Sequence, residues 1–281
     1  MLKRKLWRMS FLCQGTYLII AASNGGNIKH HSDAPVTSID STDSVIVADT
    51  LAGPKVRLNA SVAKFATAYL KENTDALELV RERSKKCFPI MDSVFTKYEL
   101  PVELKYLAVV ESELKNDALS HVGAAGPWQL MPSTARLLGL KVNGKYDERR
   151  NYSKSTVAAA KYIKDLYSQF GDWLLVIAAY NGGPGPVYAA MKKSGSRNYW
   201  KMQSFFPAET RGHVKRYIST HFYFEGEGGI TTLTKTEMNN YLSRLNEFNA
   251  NKNSKLVVTN TKKLIDTTSN QSISNKLIAE R

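Results

Sequence analysis

Glu111 is the side chain in this sequence best placed to move a proton. It ends the stretch Leu104-Lys105-Tyr106-Leu107-Ala108-Val109-Val110-Glu111, and in a helix Leu104, Leu107, Ala108 and Glu111 stand at i, i+3, i+4 and i+7 on one face. That face is apolar except for its last member, and burial disfavours the charged form of a carboxyl group. A carboxylic acid kept protonated near neutral pH is the group that donates a proton to the leaving oxygen of a glycosidic bond. Glu113 follows two residues later, about 200° around the helix, and is expected to face away. Asp117, at the helix exit, stays open as a second carboxyl.

Three further motifs lie downstream. Ser120-His121-Val122-Gly123-Ala124-Ala125-Gly126-Pro127-Trp128-Gln129-Leu130-Met131-Pro132 combines small residues that let a ligand approach the backbone, a Trp128 face for sugar stacking, and the Gln129 amide. Ala178-Ala179-Tyr180-Asn181-Gly182-Gly183 puts a polar pair at the exit of an apolar helix, and Glu209-Thr210-Arg211-Gly212-His213-Val214 is the last of the set. Taken singly, each also has an ordinary structural reading. Gly-rich loops are turns, Asn suits a helix terminus, Trp128 suits a core, and a lone Glu on an apolar face is usually a satisfied structural residue.

The elements that must position these residues read as helices. A helical pattern runs from about Asn59 to Tyr98, and Pro101 suits the first turn of the helix carrying Glu111. Residues 115–131 read as a structured loop, followed by a helix from Pro132-Ser133 to Gly139. Ser155 to about Phe170 forms the next helix, with Gly171 as its stop and Asp172 as N-cap of an almost wholly apolar helix from Trp173 to Tyr180. Pro186 opens a short helix to about Lys193, and a last helix covers roughly Glu209 to Phe224. Met238 to Phe248 can form one more. With no alternating strand between 59 and 224, the fold class is mainly α.

The chain has 281 residues and a formal net charge of +14. A balance this basic favours a polyanionic partner: nucleic acid, anionic lipid or an acidic polymer. Lys3, Arg4, Lys5 and Arg8 precede an apolar stretch from Met9 to Ala22, and residues 1–23 read as a secretory signal with Ala21, Ala22 and Ser23 at the cleavage site. Gln14 interrupts the run, which is shorter than the roughly 20 residues of a spanning helix. Bulky Phe11 and Leu12 before Cys13 fit a lipid-modified cysteine poorly. Removal of the signal would leave Cys87 alone, among apolar neighbours, which excludes an internal disulfide and cysteine-pair metal binding. His30, His31, His121, His213 and His221 show no zinc-site spacing. No cofactor or metal is expected. The resulting organisation is a signal peptide at 1–23, a linker at 24–57, an N-terminal helical segment at 58–98, a catalytic domain at 99–225 and a polar tail at 226–281.

In their order and spacing, these motifs make the chain from Glu99-Leu100-Pro101 to Phe224 resemble the catalytic domain of lytic transglycosylases, specifically the membrane-bound lytic transglycosylase D group. The resemblance rests on Glu111-Ser112, the Gly-Ala-Ala-Gly-x-x-Gln-Leu-Met-Pro run and Ala-Tyr-Asn-Gly-Gly, and it covers under half of the chain. It implies a lysozyme-like helical fold of the goose-type and soluble lytic transglycosylase kind, here with an N-terminal helical extension. It also implies that Glu111 is the sole catalytic acid and base, and that Ser112 helps set the geometry of the site. Ser120, Gln129, Tyr180 and Asn181 match positions that contact glycan or orient the acid. Trp128 stands where many relatives have Met, implying a wider stacking surface. Relatives often carry Tyr where this chain has His213, with Tyr217 one turn on, and whether His213, Tyr217 or neither lines the cleft stays open.

The implied reaction cleaves the bond between N-acetylmuramic acid and N-acetylglucosamine in peptidoglycan to a 1,6-anhydro product. The implied setting is the periplasm or cell envelope, after secretion across the inner membrane. The partners are glycan strands and, through the basic charge, the envelope surface, with no nucleic acid and a monomeric chain. A hydrolytic muramidase and an inactive glycan-binding envelope protein are the competing readings.

Overall fold

In the computed structural model residues 53–253 are described. The signal reading of 1–23, the linker as far as residue 52 and the tail beyond residue 253 lie outside them. Contacts divide the described residues into a main unit, Val56–Glu237, and a second comprising 53–55 and 238–253. In the second unit 238–253 is helical, wider than the 238–248 expected, and Gly53 packs beside the Phe248 ring.

Asn59 caps the first helix of the main unit, its Oδ1 accepting from the Ser61 amide, and α1 spans Ala60–Glu72. The helical pattern read over 59–98 is carried by two helices. Asn73 leaves helical geometry at φ −116° and ψ 15°, and α2, Thr74–Lys97, starts after it and continues through Pro89. Pro101 then introduces a 3-10 turn, Val102–Lys105, which feeds α3, Tyr106–Ser112. The 3-10 turn holds Leu104, and Leu104, Leu107, Ala108 and Glu111 are all buried.

Beyond the loop come α4, Pro132–Leu137, and α5, Tyr152–Phe170. Helix α5 starts three residues earlier than expected because Asn151 caps it, accepting from the Lys154 amide. Gly171 ends α5 at φ 61°, and Asp172 accepts from the amides of Leu174 and Leu175 to open α6, Trp173–Gly182. Asn181 and Gly182 thus belong to the last turn of α6, where a stop at Tyr180 was expected. Helix α7, Pro184–Ser194, opens two residues before the expected Pro186; the short α8, Tyr199–Met202, had no legible apolar period. Helix α9 spans Ala208–Glu225 and ends at Gly226 with φ 77°.

Among the described residues, β structure is confined to isolated bridges such as Leu119–Ala125 and Ala125–Leu130, so the mainly α expectation holds. Packing follows from apolar content. Seven of the ten residues of α6, Trp173 through Ala179, are buried, so that helix needs cover on several sides, and α5, α7 and α9 supply it. Helix α9 also packs on α1 and α3, bringing the fourth motif against the helix of Glu111. No helix among the described residues is long and apolar enough to cross a membrane.

Candidate active site

Helix α3 stops at Ser112, the second residue of the Glu111-Ser112 pair, because the next two residues turn left-handed, Glu113 at φ 54° and Leu114 at φ 62°. Side chains from neighbouring helices hold that exit. Arg83 of α2 donates to the Glu113 carbonyl at 2.6 Å, and the Tyr152 hydroxyl of α5 donates to the Leu114 carbonyl at 2.6 Å. The Glu113 carboxylate sits within 2.7 Å of Lys115 Nζ and 3.6 Å of Arg83, tied up in surface ion pairs. Asp117 is solvent-exposed in the loop.

Glu111 is 3% exposed. Its Oε1 lies 2.9 Å from Nε2 of His213 on α9, a residue equally buried. Tyr180, half-buried at the end of α6, stands close enough to feel the Glu111 charge. Burial, with that charge added, pushes the Tyr180 phenol well above its ordinary value. Its hydroxyl donates to the Trp128 carbonyl at 2.8 Å, tying α6 to the Gly-rich loop. Asn181 accepts from the Thr210 hydroxyl at 3.0 Å, tying α6 to α9. The Ser112 hydroxyl lies 2.9 Å from the Pro127 carbonyl, its closest acceptor, and ties α3 to the same loop. The acid and the three later motifs therefore meet at one place, joined by direct hydrogen bonds.

The loop after α3 is itself built. Ser120 Oγ accepts from the Ala124 amide at 2.9 Å, closing a turn within the loop. Gln129 adopts φ 45°, a strained backbone for a residue with a Cβ. Its Nε2 donates to the Gly126 carbonyl at 2.9 Å, while its Oε1 is buried without a hydrogen-bond partner among the described residues.

Arg149 was missed in the sequence, where it reads as one charge in a solvated run. It is buried, donates to the carbonyls of Gly123 and Leu130 at 2.7 and 2.9 Å, and is held by two further bonds to the Asp147 carboxylate. Gly126 is small for the same reason: a Cβ there would fall 1.9 Å from the Arg149 carbonyl oxygen. The close approach expected for a ligand is taken by backbone.

Two expectations change. Trp128 has no exposed surface. Its Nε1 donates to Thr156 Oγ1 at 2.9 Å and its ring meets Phe95 edge to face. A stacking face for sugar is therefore absent, because the indole fills the gap between α2 and α5. Tyr217 is also fully buried, with its hydroxyl 2.9 Å from Thr231 Oγ1 and 3.3 Å from the Glu103 carbonyl. One turn of α9 separates it from His213, and the alternative left open in the sequence resolves to His213 as the residue on Glu111.

The fold and this arrangement define a helical domain whose centre is a buried carboxyl–imidazole pair, with a glycine-bearing loop and a Tyr-Asn helix end beside it. Residues 95–203 match the family model of the Transglycosylase SLT domain, which bears out the lytic transglycosylase reading for that segment. The chain is 41% identical over 128 residues to the membrane-bound lytic murein transglycosylase D of Escherichia coli (strain K12), covering 44% of this chain and 28% of that protein. It is 32% identical over 129 residues to the soluble lytic murein transglycosylase of the same strain, covering 42% of this chain and 19% of that one. Among solved structures it is similar to the 70 kDa soluble lytic transglycosylase SLT70 from Escherichia coli, at 24% identity and a TM-score of 0.48, over 63% of this chain and 32% of that one. The chain spans less than a third of the length of these curated relatives.

Proposed function

We propose that the protein is a lytic transglycosylase that cleaves the β-1,4 bond between N-acetylmuramic acid and N-acetylglucosamine in peptidoglycan. In this reading Glu111 gives its proton to the glycosidic oxygen as the bond breaks through an oxocarbenium-like state. The carboxylate then takes the proton of the muramoyl 6-hydroxyl as that oxygen closes on the anomeric carbon. The product is a 1,6-anhydro sugar, and no water is consumed. Ordinary glycosidases use two carboxyl groups roughly 5–9.5 Å apart. The observation that carries a one-acid route is that Glu113 is drawn off into ion pairs with Arg83 and Lys115, leaving His213 as the ionisable side chain on Glu111.

Around the reacting bond, Ser112 orients the acid through its tie to the loop. Gln129, Tyr180 and Asn181 line the place where glycan is held, with Ser120 shaping the loop. The names of the relatives, the basic charge and the signal-like residues 1–23 together support action on glycan strands in the envelope, in wall remodelling. Digestion of purified sacculi with mass analysis of the fragments tests the reaction. Anhydro ends are expected from the wild type, one water lighter than the reducing ends a hydrolytic muramidase would leave. Glu111→Gln is expected to release nothing while still binding sacculi; lysis by that variant would end the assignment of the acid.

A further inference from the structure

The His213–Glu111 pair carries more information than contact alone. Glu111 Oε1 is engaged at 2.9 Å by His213 Nε2, and the other ring nitrogen, Nδ1, is buried with no hydrogen-bond partner among the described residues. Only one neutral tautomer suits that surrounding. With the proton on Nε2, the buried orphan is a lone pair. With the proton on Nδ1, or on both nitrogens, it is an N–H donor, the kind of orphan that folded proteins very rarely bury. From the end of α6 the Tyr180 phenol stands close enough to feel the Glu111 charge, and its hydroxyl is occupied by the Trp128 carbonyl. Tyr217, the other candidate on α9, is engaged with Thr231 and Glu103.

We propose that His213 is a positioning residue, a neutral imidazole whose Nε2–H donates to Glu111 Oε1 and so confines the reacting proton to Oε2. The proposal rests on the lytic transglycosylase reading of the site. In the first step the Oε2–H bond breaks, its proton goes to the glycosidic oxygen, and the electron pair of the broken C–O bond leaves with that oxygen. The new carboxylate is then steadied by an existing donor, and hydrogen bonds to charged acceptors are about twice as strong as neutral ones. In the second step Oε2 recovers a proton from the muramoyl 6-hydroxyl as its oxygen bonds the anomeric carbon. His213 neither gains nor loses a proton, so the acid needs no exchange with solvent between the two steps. Donors aimed in advance at developing charge are where catalysis gains most.

The test uses the full chain and two substitutions. Gln at 213 can place an amide N–H near the position of Nε2 but does not titrate; Leu places nothing. His213→Leu is expected to slow anhydro-muropeptide release from saturating sacculi about 10²-fold, the usual loss of one such donor, with sacculus binding unchanged. His213→Gln is expected to restore most of the wild-type rate. A His213→Gln enzyme as slow as His213→Leu would show that titration of the ring is required, and a fully active His213→Leu would show that the ring does nothing; either overturns the proposal. Should His213→Leu fail to fold, long-range 15N spectra of the wild-type imidazoles decide alone. A neutral Nε2–H tautomer at His213 at pH 7 is expected, and an Nδ1–H tautomer or an imidazolium refutes it. If the wild type releases no anhydro products, the functional reading fails instead, and the tautomer result still stands or falls by itself.

Discussion

Glu111 and Trp128 show how differently two residues of one motif set can be used. Glu111 is buried, with His213 engaging one carboxyl oxygen, and in the proposed reaction the other oxygen is the one that serves substrate. Trp128 is buried and only structural. Its indole joins Phe95 of α2 to Thr156 of α5, and its backbone carbonyl, not its ring, reaches the site through Tyr180. Trp128→Phe is therefore expected to lower stability by about 1–3 kcal/mol, from a lost hydrogen bond and unfilled volume, while leaving the affinity for sacculi unchanged. Urea unfolding and a sacculus pull-down measure the two; weakened binding without loss of stability would restore a stacking role. The acid was legible in the sequence because a carboxyl on an apolar face is a contradiction that local pattern exposes. The fate of Trp128 was not, since a tryptophan beside glycines looks the same whether it faces sugar or Phe95. Nor was the His213 contact, 102 residues away in sequence, visible to any local period.

The loop between α3 and α4 is the element on which the site turns. Besides Ser112, Tyr180 and Thr156, a charged residue outside it holds it in place. Arg149 saturates the Gly123 and Leu130 carbonyls and is itself neutralised by Asp147, whose carboxyl is held below its ordinary range by the Arg149 hydrogen bond. Removing the guanidinium takes a donor from the Gly123 carbonyl and leaves the Leu130 carbonyl and the Asp147 carboxylate with only the backbone amides of Ala125 and Arg149 as donors. Arg149→Ala is expected to cost roughly 3 kcal/mol in urea unfolding and to lower cleavage more than sacculus binding, because Ser112 and Tyr180 reach the acid through this loop. Gly126→Ala tests the same element from inside. Its φ of 79° and a Cβ 1.9 Å from a carbonyl oxygen place it among the rare substitutions costing more than about 4 kcal/mol; a stable Gly126→Ala protein would mean that the loop does not lie against the Arg149 backbone. The helices around the loop were readable from their apolar period and caps, Asp172 above all. The end of α6 was not, because Asn181 and Gly182 look like a stop and are kept helical by the Thr210 contact with α9.

At the scale of the whole molecule, acid should loosen the fold through His221. Its imidazole is 1% exposed, flanked by the rings of Tyr106, Tyr217 and Phe222. Nδ1 stands 3.1 Å from the Glu227 carbonyl, which can only accept, so Nδ1 carries the proton and the partnerless buried atom is again the acceptor nitrogen, Nε2. Burial lowers the His221 value below the ordinary 6.5, against a partial opposing pull from the Glu225 carboxylate and the Glu227 carbonyl. Glu225 is itself taken up by the Tyr106 hydroxyl of α3. With the folded value depressed, the unfolded chain binds a proton below pH 6.5 that the folded chain does not yet accept. This contribution to stability is complete above that pH and is lost as pH falls through the window, by at most about 1.4 kcal/mol per pH unit for one proton. His221→Asn keeps an N–H for the Glu227 carbonyl and removes the titration. Urea unfolding of both proteins at pH 7.5, 6.5 and 5.5 should therefore show a gap that narrows as pH falls, the variant being the less stable at the top of the range. A gap that stays constant would mean that His221 takes up its proton in the folded chain at the same pH as in the unfolded one, and that the packing of α9 on α3 tolerates a buried charge.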